Sequence, residues 1–109
     1  MIWYKFPVGD YITRTIHLGD AEDLAYRRML DIYYLSERPL PLETEFIANK
    51  IRIDLDITEA VLAEFFDRTE EGYRHKQADE DIARYRNQVQ RNRQSGEKGG
   101  RPKKLDKAA

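Results

Sequence analysis

Residues 20–41 read DAEDLAYRRMLDIYYLSERPLP. Asp20 stands where a helix N-cap belongs, and Glu22 and Asp23 follow in the first turn, where the helix dipole favours anions. Leu24, Ala25, Met29, Ile32 and Leu35 recur at helical spacing, and Tyr26, Leu30, Tyr33 and Tyr34 widen the apolar stripe. Pro39 and Pro41 then stop it. The pattern predicts a helix over Ala21–Ser36, apolar around so much of its circumference that it must be central to the fold.

On the N-terminal side, Ile2–Phe6 reads as a short strand closed by Pro7 and Gly9, and Asp10–Thr15 as a loop. On the C-terminal side, Phe46, Ile47 and Ile51 predict a shorter helix over about Glu43–Ile51. Ile53–Ile57 alternates like a strand but is short enough to be a loop. Thr58 is the expected N-cap of a third helix, Glu59–Asp67, with Ala60, Val61, Leu62, Phe65 and Phe66 facing inward. Arg68–Lys76 predicts a hairpin with Gly72 in its loop. From Gln77 to Ser95 the pattern is helical again, and Gly96, Gly99, Gly100 and Pro102 end it.

Three helices followed by a hairpin is the order of a winged helix. The expected fold class is therefore mainly α with a small β component. A winged-helix-like domain over residues 1–76 would have a three-helix core and a β-hairpin wing, with the Ile2–Phe6 strand completing the small sheet. A basic C-terminal helix over 77–95 and a disordered basic tail over 96–109 would follow.

Composition narrows the function. With 109 residues and 40% hydrophobic content, the chain supports one small core. It has no cysteine and only two histidines, His17 and His75, far apart in sequence, so neither a disulfide framework nor a metal site is expected. No apolar run approaches the ~18 residues of a membrane span, and the first residues lack the apolar stretch of a signal peptide. A cytoplasmic protein is the default.

The net charge of −1 hides a sign change. Residues 1–76 carry ten Lys and Arg against fifteen Asp and Glu, whereas residues 77–109 carry nine against five. An acidic body joined to a basic end points to a polyanionic partner rather than a small substrate. The DNA-binding candidates are Arg84, Arg86, Arg91 and Arg93 on the last helix, then Lys98, Arg101, Lys103 and Lys104 as an arm. Gly100-Arg101-Pro102 is similar to a minor-groove hook. Arg68, Arg74 and Lys76 are candidate wing contacts. Ala78, Ile82, Tyr85 and Val89, at spacings of four, three and four, form a candidate seam for self-association. The expected third helix is a poor reader of bases, since Glu59 and Glu64 are its charged residues before Asp67. Arg27-Arg28 beside Tyr33-Tyr34 could stack bases, but a packed tyrosine cluster is the favoured reading, and the same holds for Trp3 and Tyr4. No nucleophile elbow, phosphate-binding glycine loop or carboxylate cluster is present, so neither catalysis nor a cofactor is expected.

Phe6–Leu42 resembles the start of the YdaU-like domain family of phage and prophage proteins. The matching elements are Gly9-Asp10-Tyr11, His17-Leu18, Glu22, Ala25-Tyr26, Leu30, Tyr33-Tyr34 and Pro39-Leu40-Pro41. Phe65-Phe66, Gly72-Tyr73, His75-Lys76 and the Gly-Gly-Arg-Pro segment extend the likeness over nearly the whole chain. The resemblance implies a winged-helix-like domain without catalytic residues, in phage replication gene clusters of a bacterial host, with a role in replication initiation or helicase loading. In longer relatives a linker and a further domain follow Gly-Gly-Arg-Pro, so this chain is expected to be a short form or a truncation. The expected partners are DNA, held with weak sequence specificity, and a protein, either a replication protein or a second copy. The alternative is a pure protein-interaction module that uses the acidic body.

Overall fold

The structure is a computed structural model, and it describes residues 1–99. Within these the chain forms α1 (Val8–Thr15), α2 (Asp20–Ser36), α3 (Thr44–Ile51), α4 (Leu55–Phe65), β1 (Asp67–Thr69), β2 (Gly72–Arg74) and α5 (Lys76–Gly99). The fold is mainly helical, with one small antiparallel sheet of two strands among the described residues. The chain divides into two compact units, Met1–Asp79 and a second beginning at Glu80.

In the first unit α2 is the central element, as its sequence predicts, and Ala25 and Met29 of the expected stripe are buried, but Leu24 and Leu35 are not. Ala25, Tyr26, Met29, Leu30, Tyr33 and Tyr34 are buried, whereas Leu24 and Leu35 are 42% and 64% exposed. The residues expected only to widen the stripe, Tyr26, Leu30, Tyr33 and Tyr34, are all buried beside them, so the buried face is turned toward the tyrosines. Ile47, Ile51, Val61 and Leu62 close the core from α3 and α4. The start of α2 also shifts by one residue. Gly19 occupies the N-cap position, and its backbone N–H donates to Glu22 Oε1 at 2.9 Å, so Asp20 lies inside the first turn.

Three local readings are corrected. Asp10–Thr15 is not a loop: Gly9 and Asp10 belong to α1, whose first turn is closed by the Tyr11 N–H on the Pro7 carbonyl at 2.9 Å. Tyr11 and Thr15, one turn apart, are buried, so packing overrides the turn-like Gly-Asp pair. Ile2–Phe6 forms no strand. Its side chains hold it instead: Tyr4 stacks on Tyr34 at 3.9 Å and donates to Asp31 at 2.7 Å, and Arg27 lies 4.2 Å over the Phe6 ring. Trp3 is not packed but 73% exposed. Finally, α4 begins at Leu55 behind Asp54, not at Glu59 behind Thr58. Thr58 is wholly buried and its hydroxyl donates back to the Asp54 carbonyl at 3.0 Å, while Ala60 faces solvent.

The hairpin forms, but over Asp67–Arg74: Gly72, expected in the loop, opens β2 and pairs with Thr69 across a two-residue turn, and Lys76, expected in the hairpin, starts α5. The third neighbour in this ribbon is Leu40, not the N-terminal segment. Tyr73 N–H donates to the Leu40 carbonyl at 2.7 Å and Leu40 N–H to the Tyr73 carbonyl at 3.0 Å. Such a close approach requires glycine at 72, whose φ is 139°; a Cβ there would lie 2.2 Å from the Leu40 oxygen. The last helix continues through Gly99, past its expected end at Ser95. A glycine costs a helix about 1 kcal/mol relative to alanine but does not block it as proline does.

A polar cluster lies inside this unit. His75 caps α5, its Nδ1 accepting the Ala78 N–H at 3.1 Å. In the neutral ring the proton is then on Nε2, which donates to the Tyr26 hydroxyl at 2.7 Å. Arg14 donates to the same hydroxyl at 3.1 Å. The His75 backbone N–H donates to Tyr33, whose hydroxyl donates to Asp79 at 2.5 Å. Burial first, then the bond to Asp79, pushes the Tyr33 phenol from 10.0 up to about 12.

Three outcomes follow from these contacts. Gly72→Ala loses about 3 kcal/mol or more in urea unfolding, from the strained φ and the clash with Leu40. Gly9→Ala, whose Cβ meets open space in α1, gains about 0.5–1 kcal/mol. A tyrosinate titration at 295 nm on the native protein shows one step near pH 12, and Tyr33→Phe removes it. Because the folded-state pKa is raised, the stability held by neutral Tyr33 is complete below pH 10 and is lost as pH rises through about 12.

Candidate nucleic-acid interface

The second unit carries the described part of the basic end. Every residue from 83 to 96 on α5 is exposed, so packing contributes little to holding this stretch helical and local chemistry must do it. Arg84 bonds Asp81 one turn back. Arg91 donates to Gln88 at 2.9 Å, and Gln88 donates to Asn92 at 3.0 Å. These exposed i,i+3 and i,i+4 pairs are each worth about 0.2–0.5 kcal/mol, which a stronger anionic partner displaces easily.

Between Asp81 and Glu97 the helix has no acid. Its four arginines are all exposed, but helical phase separates them into two rows. Arg84 and Arg91 are seven residues apart, as are Arg86 and Arg93, so within each row the cations lie about 10 Å apart along the axis. Lys98 lies in α5 by its backbone, and its side chain is outside the described residues, as are Arg101, Lys103 and Lys104.

The three wing candidates differ among themselves. Arg68, in β1, and Lys76, at the start of α5, are exposed. Arg74 is clasped by Glu71 and, at 3.3 Å, by Asp79. The Glu71 hydrogen bond, followed by that to Asp79, raises its already high pKa. Its charge is spent inside the hairpin region, with Asp67, Glu70 and Glu71 nearby in the chain. Of the candidate seam, Ala78 and Ile82 are buried, while Tyr85 and Val89 are 41% and 39% exposed.

On the first unit, the helix before the hairpin carries the acidic face its sequence implied. Asp56, Glu59 and Glu64 are all exposed. Glu64 meets His17 at 2.6 Å and Glu59 accepts from Thr44 at 3.1 Å. Arg27 and Arg28 turn to other partners: Arg27 covers Phe6, and Arg28 donates to the Ile51 carbonyl at 2.6 Å. Tyr33 and Tyr34 are buried, as the packed-cluster reading had it. A groove of about 280 Å³, lined by Ile32, Pro39, Pro41 and Phe46 with Lys50 at its edge, was not legible in the sequence. Phe46 is 57% exposed there, and only the three-dimensional meeting of α2, α3 and the proline segment forms the cleft.

Among the described residues no group of three His, Cys, Asp or Glu side chains could hold a metal ion, and no helix is long and apolar enough to cross a membrane. No curated protein and no solved structure matches the chain. A family model described as "Protein of unknown function (DUF1376)" matches residues 2–83, which takes in the first unit apart from Met1, and the start of α5. The chain belongs to that family.

Proposed function

We propose that this protein is a non-enzymatic, DNA-associated adaptor that grips nucleic acid through α5 and contacts a protein through its acidic body. The observation that carries the reading is the acid-free stretch between Asp81 and Glu97, with four arginines exposed along it. Phosphate contacts of this kind supply affinity without reading sequence. Lys98, Arg101, Lys103 and Lys104 would extend the same grip.

In this reading α2, α3 and α4 are the three-helix core of a winged helix and β1–β2 its wing. The usual recognition surface is acidic, and Arg74 in the wing is already engaged by carboxylates. The body therefore serves a protein contact, with the Phe46 groove and the α4 carboxylates as its available surfaces. The likeness to phage and prophage proteins makes a replication protein, or a second copy joined through Tyr85 and Val89, the partner we favour. A role in replication initiation or helicase loading, in the cytoplasm of a bacterial host, is the one we propose. The acidic α4 also favours a second reading, in which the chain is a pure protein-interaction module. A gel shift at low salt with mixed-sequence DNA separates the two, since the module gives no shift.

Fluorescence anisotropy of the full chain on mixed-sequence DNA tests the leading proposal. With about four phosphate contacts, affinity falls roughly a hundredfold between 50 and 200 mM salt. Replacing Arg84, Arg86, Arg91 and Arg93 together by Gln lowers the slope of log affinity against log salt by about 3–4. An affinity indifferent to salt, or a slope the fourfold variant leaves intact, overturns the reading.

A further inference from the structure

The two arginine rows of α5 bracket a stripe of a different chemistry. Ala83, Asn87, Gln90 and Gln94 follow at spacings of four, three and four, and all are exposed. At about 100° per residue they fall within roughly 60° of one another on one face. Arg84 and Arg91 lie about 80–100° to one side of Ala83, and Arg86 and Arg93 about 60–80° to the other. Tyr85 and Val89 are on the remaining face. The helix thus has a band of neutral amides flanked on both edges by cations.

This arrangement has a specific complement. An acidic protein surface would be served by cations gathered on one face. Cations split to both edges of a neutral polar band need negative charge on two sides, with hydrogen-bonding groups between. The major groove of B-form DNA has that layout. Its floor shows base donors and acceptors, its walls are phosphate backbones, and its width of about 12 Å admits a helix about 10–12 Å across. Asn and Gln amides match the N6 donor and N7 acceptor of adenine in a bidentate pair. The minor groove, about 6 Å wide, is too narrow, and the major groove of A-form RNA is too deep and narrow for side chains to read. From Ala83 to Gln94 the stripe is about 17 Å long, close to half a turn of duplex.

We propose that α5 lies in the major groove of double-stranded DNA, with Arg84 and Arg91 on one backbone, Arg86 and Arg93 on the other, and Asn87, Gln90 and Gln94 facing base edges with a preference for adenine. This rests on the nucleic-acid reading of α5 and specifies the form of DNA, the groove and a source of sequence preference. The Arg84–Asp81 pair must open for it, which costs little for an exposed ion pair.

The test uses the full chain and three probes, compared at each step of one salt series: a mixed-sequence 20-base-pair DNA duplex, one of its strands alone, and the RNA duplex of the same sequence. A second duplex carries 7-deaza-adenine throughout, which removes the major-groove N7 acceptor and leaves the minor groove unchanged. The wild type is expected to bind the DNA duplex at least fivefold more tightly than the single strand or the RNA duplex, and to lose on the order of tenfold on the 7-deaza duplex. The variant N87A/Q90A/Q94A keeps its helix, because alanine is the better helix former, and its circular dichroism verifies this. It keeps the salt slope of the wild type and binds normal and 7-deaza duplexes alike. Clear salt-dependent binding with no duplex preference, with better binding to the RNA duplex, or with no response to 7-deaza-adenine overturns this proposal and leaves the adaptor reading standing. No binding to any probe at low salt overturns both.

Discussion

The fold of the first unit depends on one buried polar contact, the hydrogen bond between His75 Nε2 and the Tyr26 hydroxyl. Tyr26 is fully buried in the middle of α2, and His75 stands at the junction between the hairpin and α5. The two residues are 49 positions apart in the chain, so their bond closes most of the unit into one loop. A buried donor left without an acceptor costs about 1–3 kcal/mol, and here two donors, from Arg14 and His75, converge on a single phenolic oxygen. Phe65 stacks on the same ring at 4.1 Å, and Phe66 meets it edge-on at 6.1 Å. The end of α4, the middle of α2 and the start of α5 are therefore fixed around one side chain. Tyr33, two turns further along α2, repeats the device by joining the His75 backbone to Asp79.

A second constraint follows from the first. With His75 held, β2 must run alongside the segment after α2, and Leu40 and Tyr73 exchange both backbone hydrogen bonds. Pro39 and Pro41 flank Leu40, and the N–H groups they lack would face away from β2, so this bridge offers no donor to a further strand along its outer edge. The same two prolines line the groove beside Phe46, so the edge that limits the sheet also supplies a rigid wall for a cleft. The glycine at 72 permits this arrangement, and a residue with a Cβ would push the two strands apart.

Helix positions with strong periodicity and clear stops were readable from the sequence: α2 between Asp20 and the prolines, α3, and the hairpin around Gly72. What was not readable depended on contacts between distant residues. Gly9-Asp10 has turn chemistry, yet burial of Tyr11 and Thr15 makes it helical. Ile2–Phe6 has strand composition, yet the sheet edge it would need is taken by Leu40, and its aromatic rings dock on α2 instead. Thr58 is a good cap by type, yet it is buried and bonds backward within α4. Within the candidate site, the charge block was plain from composition. Its division into two rows was also present in the sequence, as a repeat of seven from Arg84 to Arg91 and from Arg86 to Arg93. That division acquires meaning only once residues 83–96 are seen to be helical and exposed throughout.

The near-zero net charge of the chain is a poor guide to the local field at its surface. At physiological ionic strength charges are screened beyond about 8 Å, so a surface responds to the side chains within one or two helical turns and not to the total. Four exposed arginines over ten residues of α5 thus act as a cationic surface whatever the body carries. The acidic body acts locally in the same way. It disfavours phosphate near Asp56, Glu59 and Glu64, and Arg74 in the hairpin is paired with Glu71 and Asp79. Charge is therefore segregated along the sequence: α5 exposes arginines, and α4 exposes carboxylates that repel phosphate. For the adaptor proposed above, that repulsion matters as much as the attraction, because a body that also bound DNA would have its protein-facing surfaces covered.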